Sequence, residues 1–333
     1  MRAWLERYAN RLWYDVEKPG LPWRLLSRLH ERILGERWRR PSGQPSVAVI
    51  VVGNLAVGGC GKTPTVIALA DALAAQGFGV GIISRGYGGK RVSENQPLRV
   101  DGSSDPVSVG DEPVLISRTT GLPVWVCRNR DAAFRAALAE KPDVVIADDG
   151  LQHRGLSRSF EIALVDAVRG FGNGLLLPAG PLRQPLARMD EVDAVLYRLP
   201  AADCRDAETE QKLAFHLQPS ALRRLANGEL LPADALGGKA VSAVCGIANP
   251  LQFKQTLESL GQQVSLNAFP DHHRFILGDL SKLREPIVMT AKDAVKLDQL
   301  PALGHEVFAL DVTAVLPEAL LRAVIEHVQQ FQR

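Results

Sequence analysis

The chain has 333 residues, 46% hydrophobic and 23% charged, which is typical of a soluble globular protein long enough for two domains. Its formal net charge of +2 gives no sign of nucleic-acid binding. No apolar run approaches the length of a membrane span, and the N-terminus lacks the apolar core of a signal peptide. Four widely spaced cysteines favour reduced thiols in a cytosolic protein over disulfides or a zinc site; they are Cys60, Cys127, Cys204 and Cys245.

Residues 1–40 are basic and rich in tryptophan, with ten Arg or Lys, five Asp or Glu and four of the five tryptophans. Apolar residues at helical spacing predict two amphipathic helices separated by Pro19-Gly20. The two stripes are Trp4, Leu5, Tyr8, Leu12 and Val16, and then Trp23, Leu26, Leu29 and Ile33. Basic helices of this kind suit a membrane interface, but they also suit packing against the following domain, and the pattern leaves both interpretations open.

Residues 47–65 predict a phosphate-binding loop. An apolar strand passes into a glycine-rich turn, and Gly61-Lys62-Thr63 opens a helix. Free backbone N–H groups and the helix dipole at such a start attract phosphate, while the lysine reaches the outer phosphates and the threonine hydroxyl binds Mg²⁺. The first glycine of the usual pattern is replaced by Ala56. The predicted nucleotide-binding residues are Ala56, Val57, Gly58, Gly59, Cys60, Gly61, Lys62 and Thr63.

Further candidates follow predicted strands, whose carboxyl ends line the crevice of an open α/β sheet. Arg85 and Tyr87 follow the strand 80–84 and suit an anionic, partly apolar substrate, although a solvated glycine-rich turn explains them equally well. Asp111, in G-D-E-P before a helix, has helix capping as its simplest explanation. Asp148 and Asp149 end the buried strand of D-V-V-I-A-D-D-G, as in enzymes where a strand-end carboxylate organises Mg²⁺.

The second half of the chain predicts a linker over 206–235 and then another unit of alternating strands and helices, hence a mainly parallel sheet. The loop 169–185 is too apolar for a plain surface loop; lining an acyl chain, closing as a lid and packing under the sheet all remain open. A strand near 263–269 ends at His272 and His273, for which a structural hydrogen bond is a simple explanation. Lys292 and Lys296 suit either a nucleotide or solvent.

Seven motifs occur in order along the chain, namely G-N-L-A-V-G-G-C-G-K-T-P, S-R-G-Y-G, G-D-E-P, A-D-D-G-L-Q-H, G-I-A-N-P, F-P-D-H-H and T-A-K-D. Together they resemble the tetraacyldisaccharide 4′-kinases, the lipid A 4′-kinases of Gram-negative bacteria, over roughly residues 10–330. The resemblance implies transfer of the γ-phosphate of ATP, with Mg²⁺, to the 4′-hydroxyl of a tetraacylated glucosamine disaccharide 1-phosphate. It also implies a peripheral protein at the cytoplasmic face of the inner membrane.

Site residues carried over from the resemblance extend the predictions made from the motifs. Asp111 matches the aspartate that activates the sugar hydroxyl, and His272 matches a histidine that acts with it. With Lys62 these form the predicted catalytic set. Thr63 and one of Asp148 and Asp149 are the predicted metal ligands. Five further positions match residues near the lipid headgroup, namely Arg85, Tyr87, Arg130, Gln152 and His153.

The expected fold is a P-loop NTPase-like α/β/α sandwich with a second, smaller α/β/α domain, joined in the family by a two-stranded linker. We expect interfacial helices over 1–40, the kinase domain over 41–205, the linker over 206–235 and the C-terminal domain over 236–333. Two other functions share the phosphate loop: a GTPase or ATPase switch, such as a metallochaperone, and a kinase of a soluble metabolite. Neither explains the tryptophan-rich N-terminus. The sequence says nothing about oligomeric state.

Overall fold

A computed structural model describes residues 8–34, 43–153, 155–200, 213–297 and 306–332. Trp4, Leu5, Trp38, Cys204 and the first part of the predicted linker lie outside these ranges. The helices are α1 Leu21–Leu34, α2 Lys62–Ala75, α3 Pro106–Val109, α4 Asp111–Thr120, α5 Arg130–Ala137, α6 Pro250–Ser259, α7 Leu277–Leu280, α8 Ala291–Ala294 and α9 Glu318–Phe331, and a π-helical turn covers Arg11–Asp15. None of the helices in these ranges is both long and apolar enough to cross a bilayer.

Thirteen strands pair in one continuous network. They are β1 Ala48–Gly53, β2 Val80–Ser84, β3 Leu98–Val100, β4 Val124–Val126, β5 Val144–Asp148, β6 Phe160–Asp166, β7 Ala194–Arg198, β8 Leu213–Arg224, β9 Leu230–Leu231, β10 Ala240–Cys245, β11 Gln263–Ala268, β12 Ile287–Thr290 and β13 Val307–Val315. The strands predicted around 80–84, 144–148 and 240–245 are therefore confirmed. Short β3 lies within residues 90–108, a polar stretch for which the sequence alone predicts a loop.

The first sheet has the order β3-β4-β2-β5-β1-β6-β7-β8, and all pairs are parallel except β3 with β4. Its central strands β1 and β5 are apolar and buried along their length, as expected when helices cover both faces. Helix α2 covers one face with Val66, Leu69 and Leu73, and α5 covers the other with Ala133 and Phe134. The phosphate loop, the Asp148-Asp149 turn and Arg85 consequently meet at one edge, where β1, β5 and β2 end.

Strand β8 belongs to both halves of the molecule. Its first residues pair parallel with β7, and the rest pairs antiparallel with β13 from Arg224↔Phe308 to His216↔Val315. Beyond β13 the second sheet continues as β12, β10 and β11, all parallel. The β8–β13 ribbon is thus a two-stranded connection between the sheets, of the kind implied by the family resemblance. Within the predicted linker, residues 213–224 form the long strand β8.

Helix α9 packs on the first domain, although its position in the sequence predicts that it packs in the C-terminal domain. The expected C-terminal domain ran to residue 333, yet Leu320, Val324 and Val328 are buried in the core that contains β1 and α2 of the first sheet. The reason is the long β13, which leads back along β8 and delivers α9 to the first domain. That domain therefore takes its last helix from the C-terminus, and the predicted span 236–333 needs this correction.

The N-terminal segment lies on the loop 169–185. Trp13 donates from Nε1 to the carbonyl of Pro178 at 2.9 Å, and Asn173 donates from Nδ2 to the carbonyl of Leu12 at 3.2 Å. Helix α1 is anchored by Ser27, whose Oγ donates to the carbonyl of Leu176 at 2.8 Å. The predicted break at Pro19-Gly20 separates the two helical pieces, because residues 16–20 are not helical.

Replacing Leu320 by Ala tests the placement of α9. The side chain is 1% exposed in the first core, so we expect the substitution to lower the free energy of unfolding by about 2–5 kcal/mol. The matched control is Arg322→Ala on the exposed face of the same helix. We expect this control to change the free energy of unfolding by less than about 0.5 kcal/mol. Urea unfolding followed by circular dichroism measures both, and equal midpoints for Leu320→Ala and the wild type would contradict the packing.

Candidate active site

The phosphate loop joins β1 to α2 and has the backbone expected of an anion cradle. Gly58 and Gly61 take φ values of +132° and +92°, which side chains with a Cβ rarely adopt. A side chain at Gly61 would also be crowded, since a Cβ there would lie 3.3 Å from the ring of Phe215 on β8. Gly61 precedes the first residue of α2, so the free N–H groups of that helix start open onto the loop.

Asn54 holds both the loop and its lysine. Its Nδ2 donates to the carbonyls of Ala56 at 2.5 Å and Gly58 at 3.3 Å, and its Oδ1 accepts from Lys62 Nζ at 3.1 Å. Lys62 Nζ also lies 3.8 Å from Asp149 Oδ1. Burial is the largest single influence and favours a lower pKa for this lysine, but the negative groups around it, Asp149 foremost, together outweigh burial, and the pKa is raised. Lys62 is therefore a fixed cation before any phosphate arrives.

The loop 169–185 packs along the phosphate loop. The N–H of Val57 donates to the carbonyl of Pro181 at 2.8 Å, and the N–H of Arg183 donates to the carbonyl of Leu55 at 2.7 Å. Leu176 and Leu182 are buried beneath. Gln152 ties the two segments together, since its Nε2 donates to the carbonyl of Asn54 at 2.8 Å. Gln152 thus supports the loop, a contact different from the substrate contact predicted for it.

Asp148 ends β5 and Asp149 follows it in the turn, and the two side chains lie in different environments. Asp148 is 1% exposed; its Oδ2 accepts from Ser84 Oγ at 3.3 Å, and its Oδ1 has no hydrogen-bond partner in the described structure. Asp149 has a φ of +48° and accepts from Arg183 Nη1 at 3.1 Å. Burial, with Glu112 and Asp149, raises the pKa of Asp148, whereas Lys62 and Arg183 overcome burial and lower that of Asp149.

Arg130 supports the Asp148-Asp149 turn from inside the protein instead of facing the crevice. The side chain is buried, and Nη2 donates to the carbonyls of Asp148 at 3.3 Å and Asp149 at 3.4 Å. Its own N–H donates to Nε2 of His153 at 3.2 Å. Burial, together with the positive charge of Arg130, lowers the pKa of His153 to about 4, so this histidine is a neutral acceptor at pH 7. Arg130 and His153 thus make structural hydrogen bonds at this turn, and their substrate contacts stay a prediction.

Asp111 meets His272 across the gap between the two sheets. It is the first residue of α4 and is 6% exposed; Oδ1 accepts from the N–H of Glu112 at 2.9 Å, and Oδ2 lies 3.0 Å from His272 Nδ1. Gly110, not Asp111, occupies the cap position, so helix capping does not explain this aspartate. Burial alone would raise the pKa of Asp111, but the hydrogen bond from His272 and the charges of Lys292 and Lys296 hold it well below its usual range.

His272, not His273, faces the crevice. It follows β11 with a φ of +59°, a strained conformation that places its ring over Tyr87 with ring centroids 4.9 Å apart. Arg85 and Tyr87 are both exposed. His273 turns away to pair with Asp279 at 3.0 Å. Burial favours a lower pKa for His272, but Asp111 outweighs it and the pKa is raised.

The second sheet closes over the phosphate loop. A Cβ on Gly59 would lie 3.8 Å from Cβ of Ala248, in the turn after β10. Beside it, Lys292 of α8 donates from Nζ to Glu112 Oε1 at 2.9 Å. The charge of Glu112 also favours raised pKa values for Lys62 and Asp148. Strand-end residues of both sheets therefore face one cleft.

Comparison with known proteins identifies this arrangement. The model of the tetraacyldisaccharide-1-P 4′-kinases matches residues 21–329. The chain belongs to this kinase family. It is similar to the tetraacyldisaccharide 4′-kinase of Pseudomonas paraeruginosa, with 41% identity over 91% of this chain and 93% of that protein, and to that of Alkalilimnicola ehrlichii, with 48% identity over 76% and 75%.

A solved structure of the same family has the same fold. The crystal structure of an "apo" form of the enzyme from Aquifex aeolicus in complex with ATP superposes with a TM-score of 0.72 at 29% sequence identity. The match covers 92% of this chain and 97% of that one. The predictions of the family and of a P-loop α/β/α fold with a second α/β domain are therefore confirmed.

Sequence reasoning missed several residues of this kinase site. Asn54 directly follows an apolar strand and precedes the glycine loop, and this polar residue at a strand end is the signal that could have found it. Arg183 and Ser84 carried no local signal, because their partners Asp149 and Asp148 lie 34 and 64 residues away in sequence. Glu112 has no local sequence signal that separates its role from that of its neighbour Asp111.

The His272–Asp111 pair predicts a pH-dependent stability. His272 faces Asp111, Asp271 and Lys292, and its pKa lies above the ordinary 6.5, so its protonated form favours the folded state. This stabilisation is fully present below about pH 6.5 and is lost as the pH rises through the raised pKa. We expect the difference in Tm between wild type and His272→Gln to be largest near pH 6 and to shrink towards pH 9.

Scanning calorimetry at several pH values measures this difference. The control is the same His272→Gln substitution made in an Asp111→Asn background, where the carboxylate is absent and the difference no longer depends on pH. A difference that stays constant from pH 6 to pH 9 in the wild-type background would show that the pair is not charged.

Proposed function

We infer that this chain is the kinase that transfers the γ-phosphate of ATP to the 4′-hydroxyl of a tetraacylated glucosamine disaccharide 1-phosphate, the lipid A precursor. The observation that carries the inference is the family match over residues 21–329, in a chain whose phosphate loop is intact. The Aquifex aeolicus relative, described with ATP, supports the choice of nucleotide. Lys62 and the N–H groups at the start of α2 bind the phosphates in this proposal.

Mg²⁺ fits the residues at the strand ends. Asp148 Oδ1 is a buried oxygen without a hydrogen-bond partner in the described structure, and Thr63 lies in the first turn of α2. Such sparse protein ligation is normal for Mg²⁺, which keeps waters and nucleotide oxygens in its shell. The bound ion would neutralise charge on the β- and γ-phosphates. In our proposal Asp149, which is paired with Lys62 and Arg183, orients these two cations and does not bind the metal.

Asp111 receives the proton of the acceptor hydroxyl in the proposed reaction. As that proton leaves, the sugar oxygen forms a bond to the γ-phosphorus, and the bond from the γ-phosphorus to the bridging oxygen of ADP breaks. His272 keeps the carboxylate oriented through the 3.0 Å contact with Oδ2. Arg85 and Tyr87, exposed beside this pair, are the proposed contacts for the disaccharide headgroup.

One assay separates this function from the two alternatives. With γ-labelled ATP we expect label on the lipid disaccharide and little release of phosphate in its absence; a nucleotide switch would hydrolyse ATP without lipid, and a soluble-metabolite kinase would leave the lipid unlabelled. Replacing Asp111 by Ala should lower kcat by a factor of about 10²–10⁴ with little change in the KM for ATP, because a general base acts in the transition state. Wild-type turnover by this variant would remove Asp111 from the mechanism.

We also propose that α1 binds the cytoplasmic face of the inner membrane, where the lipid substrate is accessible. Five large apolar side chains on one side of α1 are about half or more exposed: Leu21, Leu25, Leu26, Leu29 and Ile33. The alternative that this stripe packs against the domain does not fit these exposures; the helix faces the protein with Ser27 instead. Exposed Arg24, Arg28 and Arg32, four residues apart, border the stripe and suit anionic headgroups.

The double substitution Leu25→Gln and Leu29→Gln tests the membrane contact. Loss of two leucines from the interface should cost at least about 2 kcal/mol, or about 30-fold in partitioning onto anionic vesicles measured by sedimentation. Leu230→Gln in β9 is the matched control, since Leu230 is equally exposed but lies on the second sheet, and its partitioning should not change. Equal partitioning of the double variant and the wild type would contradict the proposal.

A further inference from the structure

Lys296 is a nearly buried cation to which the mechanism above gives no part. It lies just after α8, and its side chain is only 10% exposed. From the sequence, Lys296 suits either a nucleotide contact or solvent. In the structure its Nζ is instead surrounded by protein. It donates to Asp293 Oδ1 at 2.7 Å and to the carbonyl of His273 at 3.2 Å, and it lies 5.5 Å from the ring centre of Phe275.

Asp293 is a fixed anchor for this lysine. It is fully buried, and its Oδ2 accepts from Thr290 Oγ1 at 2.7 Å and from the N–H of Gly246 at 2.8 Å. Thr290 ends β12 and Gly246 follows β10, so the anchor is tied to the two central strands of the second sheet. A buried carboxylate with all these partners holds the ammonium group with little freedom to move.

From this anchor Lys296 reaches the other domain. Its Nζ lies 3.5 Å from Asp111 Oδ2, the same oxygen that His272 contacts at 3.0 Å. The second sheet therefore presents two groups to one oxygen of Asp111, while Oδ1 is held within the first domain by the N–H of Glu112. Lys292 makes its closest contact with Glu112, and the direct lysine contact to Asp111 in the described structure is that of Lys296.

We propose that Lys296 is a positioning residue for phosphoryl transfer, a fixed positive charge that the second domain brings to Asp111 and that keeps this carboxylate ionised and oriented for the acceptor hydroxyl. The proposal rests on the proposed role of Asp111. A second cationic group at the same oxygen supplements the histidine, because His272 loses its charge when it deprotonates. It also makes Asp111 competent only when the two domains are together.

The test replaces Lys296 by Met and by Arg in the full-length chain. We expect Lys296→Met to lower kcat about tenfold or more while the KM for ATP changes less than about twofold, since Asp111 acts in the transition state and not in nucleotide binding. Lys296→Arg keeps the charge and should recover most of the lost kcat. The matched control is Lys254→Met on α6 of the same domain, whose lysine pairs with Glu258 on the surface and should leave kcat unchanged.

A second variant separates positioning from folding. Lys296→Met leaves Asp293 as an unpaired buried carboxylate, so the protein is also made as Lys296→Met with Asp293→Asn, which retains polar partners for Thr290 and Gly246. We expect the double variant to regain the Tm of the wild type but not its kcat. Recovery of kcat together with Tm would reduce Lys296 to a structural role and overturn the proposal.

The outcomes also distinguish this proposal from the proposed function. Wild-type kcat in Lys296→Met, alongside an inactive Asp111→Ala, would overturn the role of Lys296 and leave that of Asp111 intact. Failure of Lys296→Arg to recover activity in a stably folded protein would likewise overturn it, because charge would not be what Asp111 requires. Full activity in Asp111→Ala would instead refute the role of Asp111, and the positioning role of Lys296 with it.

Discussion

Strand β8 is the constraint on which the site depends. One strand hydrogen-bonds with β7 of the first sheet and, further along, with β13 of the second, so the two sheets cannot be placed independently. At its start Phe215 packs beneath Gly61 of the phosphate loop. Through β13 the same ribbon returns the chain to the first domain, where α9 completes the core. The cleft is therefore a consequence of strand pairing, and its two walls are held by backbone hydrogen bonds.

Electrostatics then decides which groups in the cleft are charged. Asp149 is held ionised by Lys62 and Arg183, and Asp111 by His272 and two lysines, even though burial opposes both. Asp148, buried with two other carboxylates close by, has its pKa pushed the other way. In the proposed function, these opposite shifts give neighbouring acids different tasks, one as a proton acceptor and others as parts of a nucleotide and cation site. Two residues of this cleft have strained backbones: Asp149, which is one of these acids, and His272, which contacts Asp111.

The N-terminal segment links this cleft to the proposed membrane surface. It lies on the loop 169–185, and that loop in turn pairs with the phosphate loop through Val57 and Arg183. The exposed stripe of α1 is therefore connected to the site through a short series of hydrogen bonds. In the proposed function this packing fixes how far the phosphate loop stands from the lipid headgroup, which a flexible anchor would not do.

The sequence by itself determined the features that depend on local pattern. Apolar strands, the glycine loop before Lys62 and the order of motifs were enough for the fold class and the family. Strand ends of a parallel sheet meet at one edge, which was enough to place Asp148 and Asp149 near the phosphate loop, while the choice of Asp111 and His272 came from the family resemblance. Only the tertiary structure showed that Arg130, Gln152 and His153 brace the site, that α9 belongs to the first domain, and that Lys296 reaches Asp111. These facts depend on which distant groups meet and on which side chains become buried, and no spacing along the chain encodes that.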